Sequence, residues 1–250
     1  MAATAKATLI AILVATIGAV TKARDLPEFL HVCQLGDPHY DVCVGESVEY
    51  LKPYLKIGVP EYNIPSLEPL KLKKLVVSPA NGLRIHATDV NVYGASNFHI
   101  SKVKVNLDTM RFAVNVELPN ISVEGKYDVD GKVLLLPIRG SGPMSGNFSN
   151  CIGACKISGE RYFDKNGVEK LRIKEFRLKV SVGKGSLKLD NLFDGERVLG
   201  DVINSAINNN FDLFTRELMP LVEMALSDAF QNIADNIVEQ FTLAQLFPGA

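Results

Sequence analysis

From residue 70 to residue 189 apolar side chains recur at every second position, and Gly, Pro, Asn or Asp marks the breaks. That period is the pattern of half-buried strands, so the middle of the chain is predicted to be a long antiparallel meander. Val103, Val105 and Leu107 alternate with Lys102, Lys104 and Asn106. After a turn at Asp108-Thr109, Phe112, Val114, Val116 and Leu118 alternate with Arg111, Asn115 and Glu117. Ile121, Val123, Gly125, Tyr127 and Val129 follow, and Asp130-Gly131 is a hairpin signal. The apolar parity shifts between Ile173 and Phe176, which predicts a bulge. A sheet with one dry face must close on something.

The last third of the chain supplies that partner. From about residue 196 to residue 241, Leu199, Val202, Ile203, Ala206, Ile207, Phe214, Leu218, Val222, Ala225, Ala229, Ile233 and Ile237 recur at three- or four-residue steps. One apolar stripe results. As a single helix it would be roughly 65 Å long, and Pro220 is expected to kink or divide it. A coiled coil would need a strict heptad, which the stripe lacks, so the sheet is the nearer partner. A shorter amphipathic helix is predicted over residues 44–55, with Val48, Leu51 and Leu55 on one face. Gly58 and Pro60 stop it, and the prolines at 65 and 69 make the next segment extended.

The first residues change the compartment in which this fold must work. A single early cation, Lys6, precedes an uncharged apolar stretch over residues 7–20, with small residues at Gly18, Ala19 and Ala23. We expect a secretory signal peptide over residues 1–23, a mature chain starting near Leu26, and one domain over residues 24–250. An uncleaved anchor is the alternative, but the stretch is short against the ~20 residues of a membrane span. With 27 Lys plus Arg against 28 Asp plus Glu, the net charge of −1 offers no field to draw nucleic acid or an acidic membrane.

Export also decides how four cysteines are read, as disulfides before metal ligands. Cys33 and Cys43, separated by the turn residues Gly36, Asp37 and Pro38, are expected to pair. Joined by His31 and His39 they could instead ligate zinc, though the spacing fits no familiar pattern and oxidation competes. Cys151 and Cys155 fall in an expected loop over residues 150–156, where Gly153 could let them meet as a second pair; in a regular strand they would be about 13 Å apart and out of reach. Asn120 and Asn147 head Asn-x-Ser sequons and are candidate glycosylation sites.

Catalytic patterns are missing. The histidines, His31, His39, His86 and His99, join no serine or cysteine nucleophile motif. Gly142-Pro143-Met144-Ser145-Gly146 has its serine one place late for a nucleophile elbow, and Gly183-Lys184-Gly185-Ser186 lacks phosphate-loop spacing. We expect no enzyme, no cofactor and no metal.

At this point the chain resembles the insect takeout and juvenile hormone-binding protein family. The resemblance rests on the N-terminal cysteine pair, Ile57-Gly58-Val59-Pro60 and residues 64–70, residues 136–144, residues 187–195, Leu199-Gly200-Asp201 with Asn204 to Asn210, then Glu217, Pro220 and Leu246-Phe247-Pro248. It implies an α+β fold in which a strongly curved antiparallel sheet rolls around one long C-terminal helix, a lipid-binding super-roll of TULIP type. It also implies a secreted, extracellular, monomeric carrier of a terpenoid, a juvenile hormone-like molecule, a fatty acid or another lipid, in a family with circadian, feeding and chemosensory roles.

An apolar ligand needs an apolar wall and a few polar handles. Tyr127, on the dry side of its strand, is the candidate handle; the other reading is a strand-end tyrosine whose hydroxyl reaches water. Val114, Val116, Ile121 and Val123, with Leu51 and Leu55 and with Leu218, Val222 and Leu226, are candidate lining, each also suited to ordinary core. Lys102, Lys104, Lys174 and Arg177 could face a membrane or receptor, or simply solvent. A membrane-docking lipid transfer protein is the alternative function, and it would need an exposed apolar tip, for which Phe148 and Phe247 are candidates.

Overall fold

The computed structural model describes residues 24–77, 82–133 and 136–249, so the signal-like stretch lies outside the described residues. Helix α1 (Tyr40–Tyr50) is followed at once by α2 (Lys52–Ile57). The single helix expected over 44–55 is therefore two. Pro53 cannot donate back into α1, and it is accommodated in the first turn of α2, where a missing N–H leaves nothing unsatisfied.

Among the described residues the sheet has seven strands: β1 (Leu70–Val77), β2 (Arg84–Tyr93), β3 (His99–Asn106), β4 (Arg111–Val133), β5 (Leu136–Phe163), β6 (Glu169–Ser181) and β7 (Lys184–Leu189). All pairs are antiparallel. β4 and β5 form one long ribbon, the spine of the sheet. Beside β4 lie β3 and then β2, in tandem; beside β5 lie β6 and then β7. At mid-length the apolar residues change parity in both spine strands at once, from Leu118 opposite Cys151 to Ile121 opposite Phe148, with no shift of register. Asn150 takes a left-handed φ of 53° there, a conformation asparagine tolerates better than most residues.

The bulge predicted from sequence is present. Ser158 pairs with Glu175 and Gly159 with Ile173, so Lys174 is the extra residue. The Asp108-Thr109 turn is also present, closed by Asn106 Oδ1 accepting from the Thr109 N–H at 2.8 Å. The Asp130-Gly131 hairpin is not. β4 runs through to Val133, which pairs with Leu136. Gly131 is glycine for a different reason: a Cβ would stand 2.7 Å from the Leu83 Cα, so the side chain is excluded by a neighbouring strand approach.

The apolar stripe of the last third becomes α3 (Arg197–Asn209), α4 (Phe211–Val238) and the short α5 (Leu243–Leu246). Pro220 does not break it; the chain breaks at Asn210. Pro220 lies on the exposed side of α4, where water can take the Arg216 carbonyl it frees. At Asn210 the side chain competes for the backbone, its Nδ2 donating to the Ala206 carbonyl at 2.9 Å.

Helices cover the outer edges of β6, β7 and β3 with polar side chains. On α4, Glu223, Ser227, Gln231 and Asp235 accept from the N–H groups of Val180, Leu178, Phe176 and Ile173 on β6 at 2.8, 3.0, 3.3 and 2.9 Å. Four helical residues rise about 6 Å and two strand residues about 6.6 Å, so the rungs stay nearly in step. The last rung spans three strand residues, and the Lys174 bulge takes up the extra one. On α3, Asn204 and Asn208 each accept from and donate to β7, at Leu189 and Leu187. On α1, Asp41 and Glu49 accept from Val105 and Ile100 of β3.

Three apolar clusters fill the roll. One, at the β4–β5 tip, joins Tyr127, Val129, Val133 and Ile138 to Leu192, Ile203, Ile207 and Phe214. Another, at the opposite end, joins Leu107, Met110, Leu171, Ile173 and Leu243. The third packs Leu70, Leu72, Ala87 and Val90 toward Leu226, Ala229 and Phe230 of α4.

The edge ladder makes a quantitative prediction. Asp235→Ala orphans the Ile173 N–H and should cost about 1–3 kcal/mol in denaturant unfolding, whereas Asp235→Asn keeps an acceptor and should cost much less. Equal losses in the two variants would show that the ladder contributes little.

Glu49 gives the matching pH dependence. Burial works to raise its carboxyl, but the Lys52 ammonium and the Ile100 N–H outweigh that and hold it below its ordinary value of 4.5. A carboxyl lowered on folding adds stability above its unfolded value and loses it as pH falls through the folded one. Glu49→Gln should therefore flatten the loss of stability below pH 4.5 in urea titrations.

Candidate ligand site between the long helix and the sheet

The inward wall of the roll is built from cross-strand partners. Val114, Val116 and Leu118 of β4 stand opposite Cys155, Gly153 and Cys151 of β5. On one flank Val103 and Ile100 of β3 continue the rows, and on the other Leu178 and Val180 of β6 do. Phe176 of β6 marks this as the face covered by α4, since its ring lies 5.9 Å from that of Phe230.

This wall is less well packed than the rest. Val114, Val116, Leu118 and Ile121 are only half-buried, and none belongs to any of the three clusters. Gly153 leaves further room: a Cβ there would meet only Leu178 Cδ1 at 3.7 Å and the Val116 carbonyl at 3.9 Å, ordinary contacts. A separate open cleft of 590 Å³ lies beside α2, lined by Ile57, Gly58, Asn63, Ile64 and Asn236 of α4 among others.

Tyr127 is buried in the tip cluster, only 5% exposed, and its hydroxyl donates to the Asp190 carbonyl at 2.6 Å. Burial, and then the Asp190 charge, push the phenol up to about 12. Its proton is thus engaged by the chain itself. The other sequence candidates are spread along the roll. Leu218 packs with Tyr127 at the tip, and Val123 and Leu226 share the third cluster. Val222 is 39% exposed, outside the wall. Leu51 joins α1 to α2, and it and Leu55 are half-buried where these helices pack on β3 and on the Ala95–Asn97 turn.

Cys33 and Cys43 are bonded, with Cα atoms 6.0 Å apart. His31 lies within 4.8 Å of both sulfurs, but a disulfide removes the thiolates a zinc ion would need. The second pair does not form. Cys151 and Cys155 are free, and the loop expected around them is the middle of β5. They share a face, so a strand holds them about 13 Å apart. Burial pushes both thiols up. The sequence reading missed them as wall residues, although Cys151, Gly153, Cys155 and Ile157 keep the period of two. Residues 142–146 lie in β5, and residues 183–186 run from the β6–β7 turn into β7; neither is a strand-to-helix turn, the context a nucleophile elbow or phosphate loop would need.

Comparison with known proteins agrees with this architecture. The model of the family described as haemolymph juvenile hormone binding protein (JHBP) matches residues 9–248. The circadian clock-controlled protein daywake of Drosophila melanogaster is 23% identical over 228 residues, covering 87% of this chain and 86% of that one. A Schistocerca gregaria protein provisionally described as beta-carotene-binding is 23% identical over 213 residues, 85% of each chain. Takeout 1 of Epiphyas postvittana shares the fold: its crystal structure gives a TM-score of 0.71 at 24% identity, over 87% of this chain and 99% of that one.

The thiols and Tyr127 can be checked directly. Denatured but unreduced protein should release two titratable thiols, Cys151 and Cys155, which react slowly while the chain is folded. A phenol raised on folding stabilises the fold below its unfolded value of 10.0 and loses that contribution as pH rises toward about 12. Tyr127→Phe should cost about 1 kcal/mol near neutrality, and the gap should close on that alkaline limb in urea unfolding.

Proposed function

The chain belongs to the haemolymph juvenile hormone binding protein family, and from that premise we propose that it is a secreted, monomeric, non-catalytic carrier of a long apolar molecule. A terpenoid, a fatty acid or a carotenoid-like lipid would lie between α4 and the inward wall of β4 and β5. The observation that carries this reading is the half-buried, unclustered run of Val114, Val116, Leu118 and Ile121 in a roll whose ends are well packed. The beta-carotene description of the locust relative supports an apolar cargo. The N-terminal apolar stretch and the Cys33–Cys43 bond support export.

Apolar burial alone can hold such a ligand. At roughly 25 cal/mol per Å², an alkyl chain burying on the order of 350 Å² gains about 9 kcal/mol before the cost of association. A polar handle is then a matter of orientation. Tyr127, its proton given to Asp190, can offer a head group only its oxygen lone pairs, so it closes the tip of the site.

A second reading has one observation in its favour. Phe148 and Phe247 do not form a docking tip, because their rings pack on Phe211 and Phe112 at 6.2 and 5.7 Å. However, Val198, Leu199 and Val202 of α3 are 70%, 49% and 57% exposed, an apolar surface suited to transient contact with a bilayer. No described helix is long and apolar enough to cross one. Stable flotation of the unliganded protein with liposomes would favour membrane-docking transfer over free carriage.

Purified from its own tissue, the protein should yield a lipid on organic extraction and native mass spectrometry, and should take up a fluorescent fatty acid saturably. Neither co-purified lipid nor uptake would sink the carrier reading. Gly153→Leu should fill the wall and weaken uptake roughly tenfold, about 1.4 kcal/mol, while the fold is retained. Unchanged uptake would place the ligand elsewhere.

A further inference from the structure

The outer face of the spine brings the two sequons together. Asn120-Ile121-Ser122 lies in β4 and Asn147-Phe148-Ser149 in β5. The antiparallel register sets Asn120 opposite Ser149 and Asn147 opposite Ser122. Ser122 Oγ donates to Asn147 Oδ1 at 2.9 Å. Both asparagines are exposed. The rows continue across the sheet, with Tyr93 beside Ser122, Ser186 beside Asn147 and Lys184 beside Ser149. These residues, together with Ile121 and Phe148, line an open cleft of 510 Å³ to which no acidic residue contributes.

We propose that this cleft is an N-glycosylation site in which Asn120 carries the glycan and Asn147 stays bare. The proposal rests on the export reading above. The glycan donor would be a lipid-diphosphate-linked oligosaccharide, used by the transferase of the secretory pathway. The Asn120 Nδ2 forms a bond to the sugar C1 as the bond from C1 to the diphosphate breaks. The amide proton passes to a base of the transferase, and the lipid diphosphate leaves.

Order along the chain separates the two asparagines. When Asn120 emerges, its partner strand β5 has yet to be made, so the sequon is an unpaired extended segment. Asn147 emerges 27 residues later into a hairpin with β4 already waiting. Hairpins close in roughly 1–10 μs, whereas synthesis adds about 5–20 residues per second, so pairing outruns the exposure of the second sequon. Once paired, Asn147 has its carboxamide oxygen held by the hydroxyl of the first sequon. Asn120 and Asn147 are diagonal neighbours, with Cα atoms about 7–8 Å apart, too close to carry two bulky glycans comfortably. A glycan on Asn120 would stand near Tyr93, whose exposed ring lies beside Ser122 on β2.

The full chain, with its own first 23 residues, would be expressed in insect cells and recovered from the medium. Intact mass should show one glycan, and enzymatic deglycosylation in heavy-oxygen water should label Asn120 alone. Asn120→Gln and Ser122→Ala should each give a bare protein, and Asn147→Gln should leave occupancy unchanged. Processed but unglycosylated protein in the medium overturns the proposal and leaves export standing. Labelling of Asn147, in the parent chain or in Asn120→Gln, overturns the assignment of the two sites. Unprocessed chain retained in the cells overturns the export reading, and the proposal with it.

Discussion

A curved open sheet leaves rows of backbone N–H groups at its edges, and each buried one without a partner costs about 1–3 kcal/mol. Here the helices supply those partners. Glu223, Ser227, Gln231 and Asp235 form a four-rung ladder from α4 to β6, and Asn204 and Asn208 read both the donors and the acceptors of β7. Glu223 is itself 7% exposed, and Lys179 closes on its second oxygen at 2.6 Å. The long helix is therefore held against one edge of the sheet by hydrogen bonds whose spacing the two backbones impose.

That way of fixing the helix explains how the inward wall can stay only half-buried. A helix held only by apolar contact must pack tightly along its length, because unfilled volume costs roughly 24 cal/mol per Å³. A gap of about 100 Å³ would then lose roughly 2.4 kcal/mol. With α4 anchored along β6 and clamped by a cluster at each end, the middle wall of Val114, Val116 and Leu118 can stay loosely covered without the helix drifting. A bound lipid would recover the lost contacts. Stability and the proposed carriage would then share one physical origin.

What was legible in the sequence was whatever side-chain burial alone decides. The period-two meander, the turn at Asp108-Thr109 and the bulge at Lys174 all follow from which residues must be dry. Where backbone groups decide, the sequence misled. Pro220 looked like the break, but its exposed position makes it tolerable, while Asn210, which ends α3, has no comparable signal. Gly131 looked like a turn and is a close approach; Gly153 made a strand look like a loop. The ladder residues Glu223, Ser227, Gln231 and Asp235 are polar at helical spacing, indistinguishable from a solvated face until β6 is placed beside them. Tyr127 was legible as buried, but its acceptor is a carbonyl 63 residues away, which no local pattern reveals.

The position of the bend ties these features to cargo shape. Apolar parity changes between Leu118 and Ile121 on β4 and between Cys151 and Phe148 on β5, while the pairing continues unbroken. Both spine strands therefore turn together, and the loosely packed wall straddles the turn, from Val114 before it to Ile121 after it. The seven residue steps from Val114 to Ile121 span roughly 23 Å of strand. That length suits an extended or gently curved hydrocarbon and is poorly matched to a compact ring system. On the proposed carrier function, the flanking clusters would act as end stops, Tyr127 and Phe214 at one end and Met110 and Leu243 at the other. Discrimination among lipids would come from chain length and curvature first, because the buried Tyr127 hydroxyl at the tip has already committed its proton.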